Sequence, residues 1–123
     1  MQMKLELVAV PVTDVDRAKA FYTGKIGFVA DIDHTVHEGL RFVQLTPPGS
    51  ACSVVIGVGT TEMAPGSQKG LTMVIPDADA AHAELAARGV EVGAVDEQPW
   101  GRFVRFADHD GNTWALQQLP QRH

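Results

Sequence analysis

The sequence predicts an α+β domain of two tandem βαβββ modules. These curve into one open-barrel-like mixed sheet with the helices on its convex face. Three observations carry this. First, the hairpin Arg102–Gln117 (RFVRFADHDGNTWALQ) has a weaker copy, in which RFVQLT at Arg41–Thr46 is followed by Pro47-Pro48-Gly49 and a second strand. Second, Asp14, Asp16 and Ala18 at the head of one helix have counterparts in Asp77, Asp79 and Ala81 at the head of another. Third, the order strand, helix, three strands occurs twice, and a unit that small cannot bury both faces of its sheet alone.

The elements follow in order. Leu5–Val12 alternates as a strand, with Val8, Val10 and Val12 on one face and Leu5, Leu7 and Ala9 on the other. Pro11 suits an edge or an exit. Thr13 and Asp14 are N-cap residues for a helix over Val15–Thr23 that buries Ala18, Phe21 and Tyr22, with Gly24 and Gly27 as C-cap positions. Phe28–Asp33 reads as a short strand and His34–Gly39 as a polar connection. Leu40–Thr46 and Cys52–Val58 form the first hairpin. Thr60–Gly70 carries Pro, Gly, Ser and Thr without periodicity, as linkers do.

The pattern then restarts. Leu71–Ile75 is a strand, Ala78–Arg88 a helix closed by Gly89, Val90–Asp96 a strand, and Glu97–Gly101 a loop bearing Trp100. In the last hairpin, Asp108-His109-Asp110-Gly111-Asn112 is a turn by its chemistry. Leu119–His123 is a tail. Residues 1–123 thus form a single domain: module one over about 4–59, a linker over about 60–69 and module two over about 70–119.

Composition narrows the function. Hydrophobic content of 45% with 20% charged residues is that of a globular domain rather than a disordered chain. No apolar run approaches the ~20 residues of a membrane span, and no signal peptide is visible. The single Cys52 excludes an internal disulfide framework and suits a cytoplasmic setting; its alternation with Val54 and Ile56 makes it a core residue rather than a nucleophile. A net charge of −5 argues against nucleic acid or an anionic membrane as partner and favours a neutral or cationic ligand.

Alternation also sorts the sheet faces. Val8, Val10, Val43, Leu45, Val54 and Ile56, with their module-two counterparts, form an apolar set for the helix-covered face. The opposite face then carries Leu7, Ala9, Phe42, Gln44, Ser53, Val55, Thr72, Val74, Phe103, Arg105, Ala115 and Gln117. An apolar surface with a few spaced polar groups is the usual make-up of a small-molecule pocket. Arg105 cannot share the buried face of Val104 and Phe106 unpaired, so it faces the cleft or solvent. By repeat it matches Gln44. Trp100, in a Pro-Trp-Gly loop, suits a rigid lip offering an apolar face to a flat ligand, with Arg105 bonding an oxygen-rich or anionic group on it. The alternative is that Arg105 pairs with a carboxylate such as Glu6 or Asp31.

Two stretches, PVTDVDRAKAFYTGKIGF at Pro11–Phe28 and WGRFVRFADHDGNTWALQ at Trp100–Gln117, resemble the vicinal oxygen chelate superfamily. Its members include glyoxalases, extradiol dioxygenases, fosfomycin-resistance enzymes and bleomycin-resistance binding proteins. The turn has His109 where this family commonly has proline. The resemblance implies a divalent metal held by His or Glu from four cleft-facing strand positions, which correspond here to Leu7, Ser53, Gly70 and Ala115. None of these supplies an imidazole or carboxylate, and a two-residue slip offers only Ala9, Leu5, Val55, Thr72, Thr113 and Gln117. His34, His37 and Glu38 could form a displaced site only by folding over the cleft mouth, and the spacing of the two histidines meets on a helix, not in a hairpin connection.

The expectation is therefore a small-molecule-binding protein of the bleomycin-resistance type, without metal or other cofactor, and a homodimer as is common in the superfamily. Its ligand is held by Leu7, Phe42, Gln44, Ser53, Thr72, Trp100, Phe103, Arg105, Ala115 and Gln117. The alternative is a lyase, isomerase or dioxygenase-like enzyme with a displaced or absent metal site. It would lack an obvious general acid or base, because Gln44 and Gln117 do not titrate and Arg105 is too basic.

Overall fold

Two aspartates start the two helices. Asp14 Oδ1 accepts from the Arg17 N–H at 3.0 Å, and Asp77 Oδ1 accepts from the Ala80 N–H at 3.1 Å. Each satisfies a donor that a helix start leaves unpaired. The computed structural model describes residues 1–121, so the last two residues of the expected tail lie outside the described residues. Module one comprises β1 (Leu7–Ala9), α1 (Val15–Ala20), β2 (Val29–His37), β3 (Leu40–Thr46) and β4 (Ser53–Val58). Module two comprises β5 (Leu71–Val74), α2 (Ala78–Ala87), β6 (Asp96–Gln98), β7 (Gly101–Ala107) and β8 (Thr113–Gln118). No described helix is long and apolar enough to cross a membrane.

The repeated Arg-Phe-Val has a repeated purpose. Arg41 Nη1 donates to Asp16 at 2.9 Å, and Arg102 reaches Asp79 with two N–H groups at 2.9 and 3.1 Å. Each arginine also holds the neighbouring edge strand, Arg41 through Asp33 and Arg102 through Glu97. Thus β3 and β7 are each tied to the first turn of their own helix. Hydrogen bonds from Arg41, joined by one from Lys19, hold the Asp33 carboxyl well below the usual carboxylate range.

The α+β, two-module architecture is as the sequence predicts. The strands hydrogen-bond as two four-stranded sheets, β1-β4-β3-β2 and β5-β8-β7-β6, rather than as one continuous ladder. In each, the first strand lies parallel to the fourth and the other pairs are antiparallel. Several bounds also differ. The first strand is only Leu7–Ala9, because Pro11 has no N–H to extend a ladder. The second runs on to His37, so His34–His37 is strand rather than connection; bulges at Ala30/Ile32 and Thr35/His37 absorb the broken alternation. The sixth is Asp96–Gln98, not Val90–Asp96: Val90 closes α2 through its bond to Leu85 O, and of the expected loop Glu97–Gly101 only Gln98-Pro99-Trp100-Gly101 makes the turn, with Glu97 and Gln98 pairing to β7. After α1 the chain widens into a π-type turn over Phe21–Ile26, where the N–H groups of Gly27 and Phe28 both reach Tyr22 O.

One core joins the sheets. Phe21, Tyr22 and Phe28 of module one pack on Phe106 and Trp114 of module two, with ring centroids 5.6 to 6.2 Å apart. The linker also takes part. Its Gln68 bonds Ala9 O at the free edge of β1, accepts from the Thr113 N–H at the start of β8, and donates its own N–H to Asn112 Oδ1. It therefore works as a strap between modules. Beside it, Tyr22 donates to Asp108 at 2.7 Å and accepts from Trp114 Nε1 at 2.9 Å, while Asn112 Nδ2 reaches Asp108 and Pro11 O. Burial, reinforced by the Asp108 charge, pushes the Tyr22 phenol far above its usual value.

Candidate functional site

Cross-strand partners point to the same face of a sheet, so register shows which side chains gather. In module one, Leu7 lies beside Ser53, Gln44 beside Val55 and Ile32, and Phe42 beside His34. In module two, Ala115 lies beside Thr72 and Arg105, and Gln117 beside Val74 and Phe103. The expected cleft residues that lie on strands therefore share the face away from the helices, divided between two sheets, while Trp100 sits in the turn before β7. Thr72, not Gly70, stands opposite Ala115 as Leu7 stands opposite Ser53, so the four equivalent positions are Leu7, Ser53, Thr72 and Ala115. Gly70 is instead bonded through its N–H to Thr113.

Exposure across this face is uneven. Ser53, Val55, Phe103 and Ala115 are buried. Leu7 is 38% exposed, Val74 63% and Trp100 60%, which leaves apolar surface open beside a closed floor.

The polar groups on this face are ordered. Thr46 Oγ1 donates to Asp31, and the Ser53 hydroxyl lies 2.6 Å from Thr46 Oγ1. Gln44 Nε2 donates to Ser53 Oγ at 3.3 Å. Since Thr46 spends its proton on Asp31, the direction along the chain is fixed: Gln44 to Ser53 to Thr46 to Asp31. The Gln44 carbonyl oxygen takes no part in this chain and is an acceptor by its chemistry. In module two, Gln117 Nε2 donates to Trp100 O at 2.9 Å and so ties the Trp100 loop to β8. Arg105 stacks over the Phe103 ring at 4.9 Å and donates to Asp96 at 2.8 Å. Its carboxylate partner is thus Asp96, neither Glu6 nor Asp31. That bond, with one from Gln98, holds the Asp96 carboxyl below its usual value.

Thr46 and Asp31 are absent from the expected site. Thr46 continues the alternation of Phe42 and Gln44 and was legible from it. Asp31 was not, because it sits at the β2 bulge, which only the paired register reveals. His34 shares the face of Phe42, whereas His37 ends β2 and accepts from the Gly39 N–H in the turn that follows.

The four equivalent positions offer two aliphatic side chains and two hydroxyls. That donor set does not fit a divalent metal. Among the described residues, no group of three His, Cys, Asp or Glu side chains comes together elsewhere to hold one.

Paired βαβββ modules with four equivalent strand positions on the face away from the helices define a glyoxalase-like class of protein. Comparison with known proteins agrees: the model of the Glyoxalase/Bleomycin resistance protein/Dioxygenase superfamily matches residues 4–116, and the chain belongs to that superfamily. It is similar to TnmS3, an antibiotic binding protein from Streptomyces sp. CB03234, with 37% identity, a TM-score of 0.88, and coverage of 97% of this chain and 98% of that one. A glyoxalase/bleomycin resistance protein from the same organism gives 39% identity and a TM-score of 0.82 over 94% and 100%. The uncharacterized protein YetH of Bacillus subtilis (strain 168) is 30% identical over 122 residues, 96% of this chain and 100% of its own.

Proposed function

We propose that this protein binds a small molecule on the sheet face away from its helices and does so without a metal. The carrying observation is the hydroxyl chain at Ser53. A position that would hold a metal-ligating side chain instead orients the Gln44 amide, which suits recognition of a ligand by hydrogen bonds. The open apolar side chains Leu7, Val74 and Trp100 supply contact area around it. Similarity to an antibiotic binding protein supports the same reading; the net charge of −5 favours a cationic ligand and exposed Trp100 an aromatic one. Within it, Phe42, Phe103 and Trp100 supply apolar faces, Gln44, Thr72, Arg105 and Gln117 supply polar contacts, and the protein works in the cytoplasm.

A homodimer completes the proposal. The two halves of the face lie on separate sheets, and a partner's opposite half would close each one. Light scattering at micromolar concentration should give the mass of two chains; a single-chain mass would remove this part. Ligand binding is tested through tryptophan emission. Trp100 is exposed and Trp114 buried, so titration with cationic glycopeptide and aromatic antibiotics should quench the red-shifted emission first. Absence of saturable quenching across the panel, with no binding by calorimetry, would sink the proposal.

A further inference from the structure

The modules meet along two junctions related by the internal repeat. At one, the exit of β1 abuts the β7–β8 turn and is sealed. Thr13 donates to both Asp110 carboxylate oxygens, Asn112 Nδ2 and the Gly66 N–H both reach Pro11 O, and the linker covers the edge of β1. At the other, the exit of β5 faces the β3–β4 turn, Pro47–Ser50, and the described residues form no such lock. A groove of about 610 Å³ opens there instead. That volume lies within the ~300–1,000 Å³ range of small-molecule sites.

Its walls are mixed; the apolar part comes from Ile26, Phe28, Met73, Ile75, Leu85 and Leu116, with Ala81 of α2 facing in beside them. One end is charged. Arg88 lines the groove, donating to Glu84 at 2.6 Å and to Lys25 O at 3.0 Å. A guanidinium has five N–H donors, so donors remain after these two bonds among the described residues. Glu84 lines the same end, so Arg88 and its carboxylate partner both border the groove. The remaining guanidinium N–H groups of Arg88 are the donors that this end offers to an anionic group.

We propose that this junction groove is a second small-molecule site, which takes an aromatic carboxylate or sulfonate. The rings lie against the walls of α2 and β5, and the anionic group is held by Arg88. The site is separate from the sheet face discussed above; only Thr72 and Val74 of that face border the groove. Either site can therefore fail without the other.

The test uses 8-anilinonaphthalene-1-sulfonate and its uncharged analogue N-phenyl-1-naphthylamine in fluorescence titrations of the full chain. The sulfonate should bind roughly tenfold tighter, as one charged hydrogen bond contributes. Arg88→Gln should erase that preference while retaining the weaker binding of the neutral dye. Ala81→Trp should abolish both by filling the groove. If circular dichroism shows Ala81→Trp unfolded, Pro48→Trp on the exposed lip is read by the same criterion. A sulfonate preference that survives Arg88→Gln, or dye binding that survives the folded filling variant, would overturn the proposal.

Discussion

The Tyr22 hydroxyl, in module one, donates a 2.7 Å hydrogen bond to the Asp108 carboxylate, in module two. Tyr22 is fully buried and Asp108 nearly so, and the Trp114 indole donates to the same hydroxyl. Tyr22→Phe leaves both partners buried without it. It should cost about 1–3 kcal/mol of stability, the penalty for such orphaned groups. Urea unfolding checks this; an unchanged midpoint would mean that the contact does not contribute.

Gly66 anchors the strap. Its φ is +79°, and a Cβ there would stand 2.1 Å from the backbone oxygen of Asp110. Gly66→Ala meets both a left-handed backbone and a hard clash. Destabilisation on the order of 1–3 kcal/mol follows, measured as a lowered urea midpoint. Gly24 has nothing within 4 Å of its Cβ position, so Gly24→Ala should cost less.

Acid should destabilise the fold through Asp33, Asp79 and Asp96, whose folded-state values are all depressed by arginine hydrogen bonds. A depressed carboxylate binds fewer protons folded than unfolded, so stability rises with pH. Its contribution is complete above the unfolded value, about 3.9, and is lost as pH falls through the folded values. Thermal melts from about pH 6 downward should therefore fall most steeply below about pH 4. Asp33→Asn should lower stability at neutral pH and flatten that slope.

For any ligand that binds the sheet face, Arg105→Ala and Trp100→Ala should each weaken affinity by about 1–3 kcal/mol, as for loss of a charged hydrogen bond or an aromatic contact. Ser53→Ala should weaken it by about 1 kcal/mol by releasing the Gln44 amide. Titration calorimetry reads all three. Unchanged affinity in both the Arg105 and Trp100 variants would remove those residues from the site.

Much of this molecule is legible in its sequence because the same solutions appear twice. Asp14 and Asp77 announce the helix starts, and the two Arg-Phe-Val copies announce equivalent strands. Alternation correctly separates Val43 and Leu45, both fully buried, from Phe42 and Gln44. What was hidden depends on contacts between distant residues. The strap role of Gln68 has no local signature in a stretch without periodicity. The extension of β2 through His34 was masked by bulges and polar side chains, and Asp31 was lost with it. The split of the ladder into two sheets depends on which strand edges pair, which no single strand reveals.

Ligand binding on the sheet face is proposed to need no metal. Calorimetric titration of the panel's best ligand into the protein, before and after exhaustive chelation, tests it most directly. The account predicts saturable binding with the same affinity in both states and no stoichiometric metal in the untreated protein. Binding that disappears on chelation and returns with added zinc, nickel, iron or manganese would contradict it.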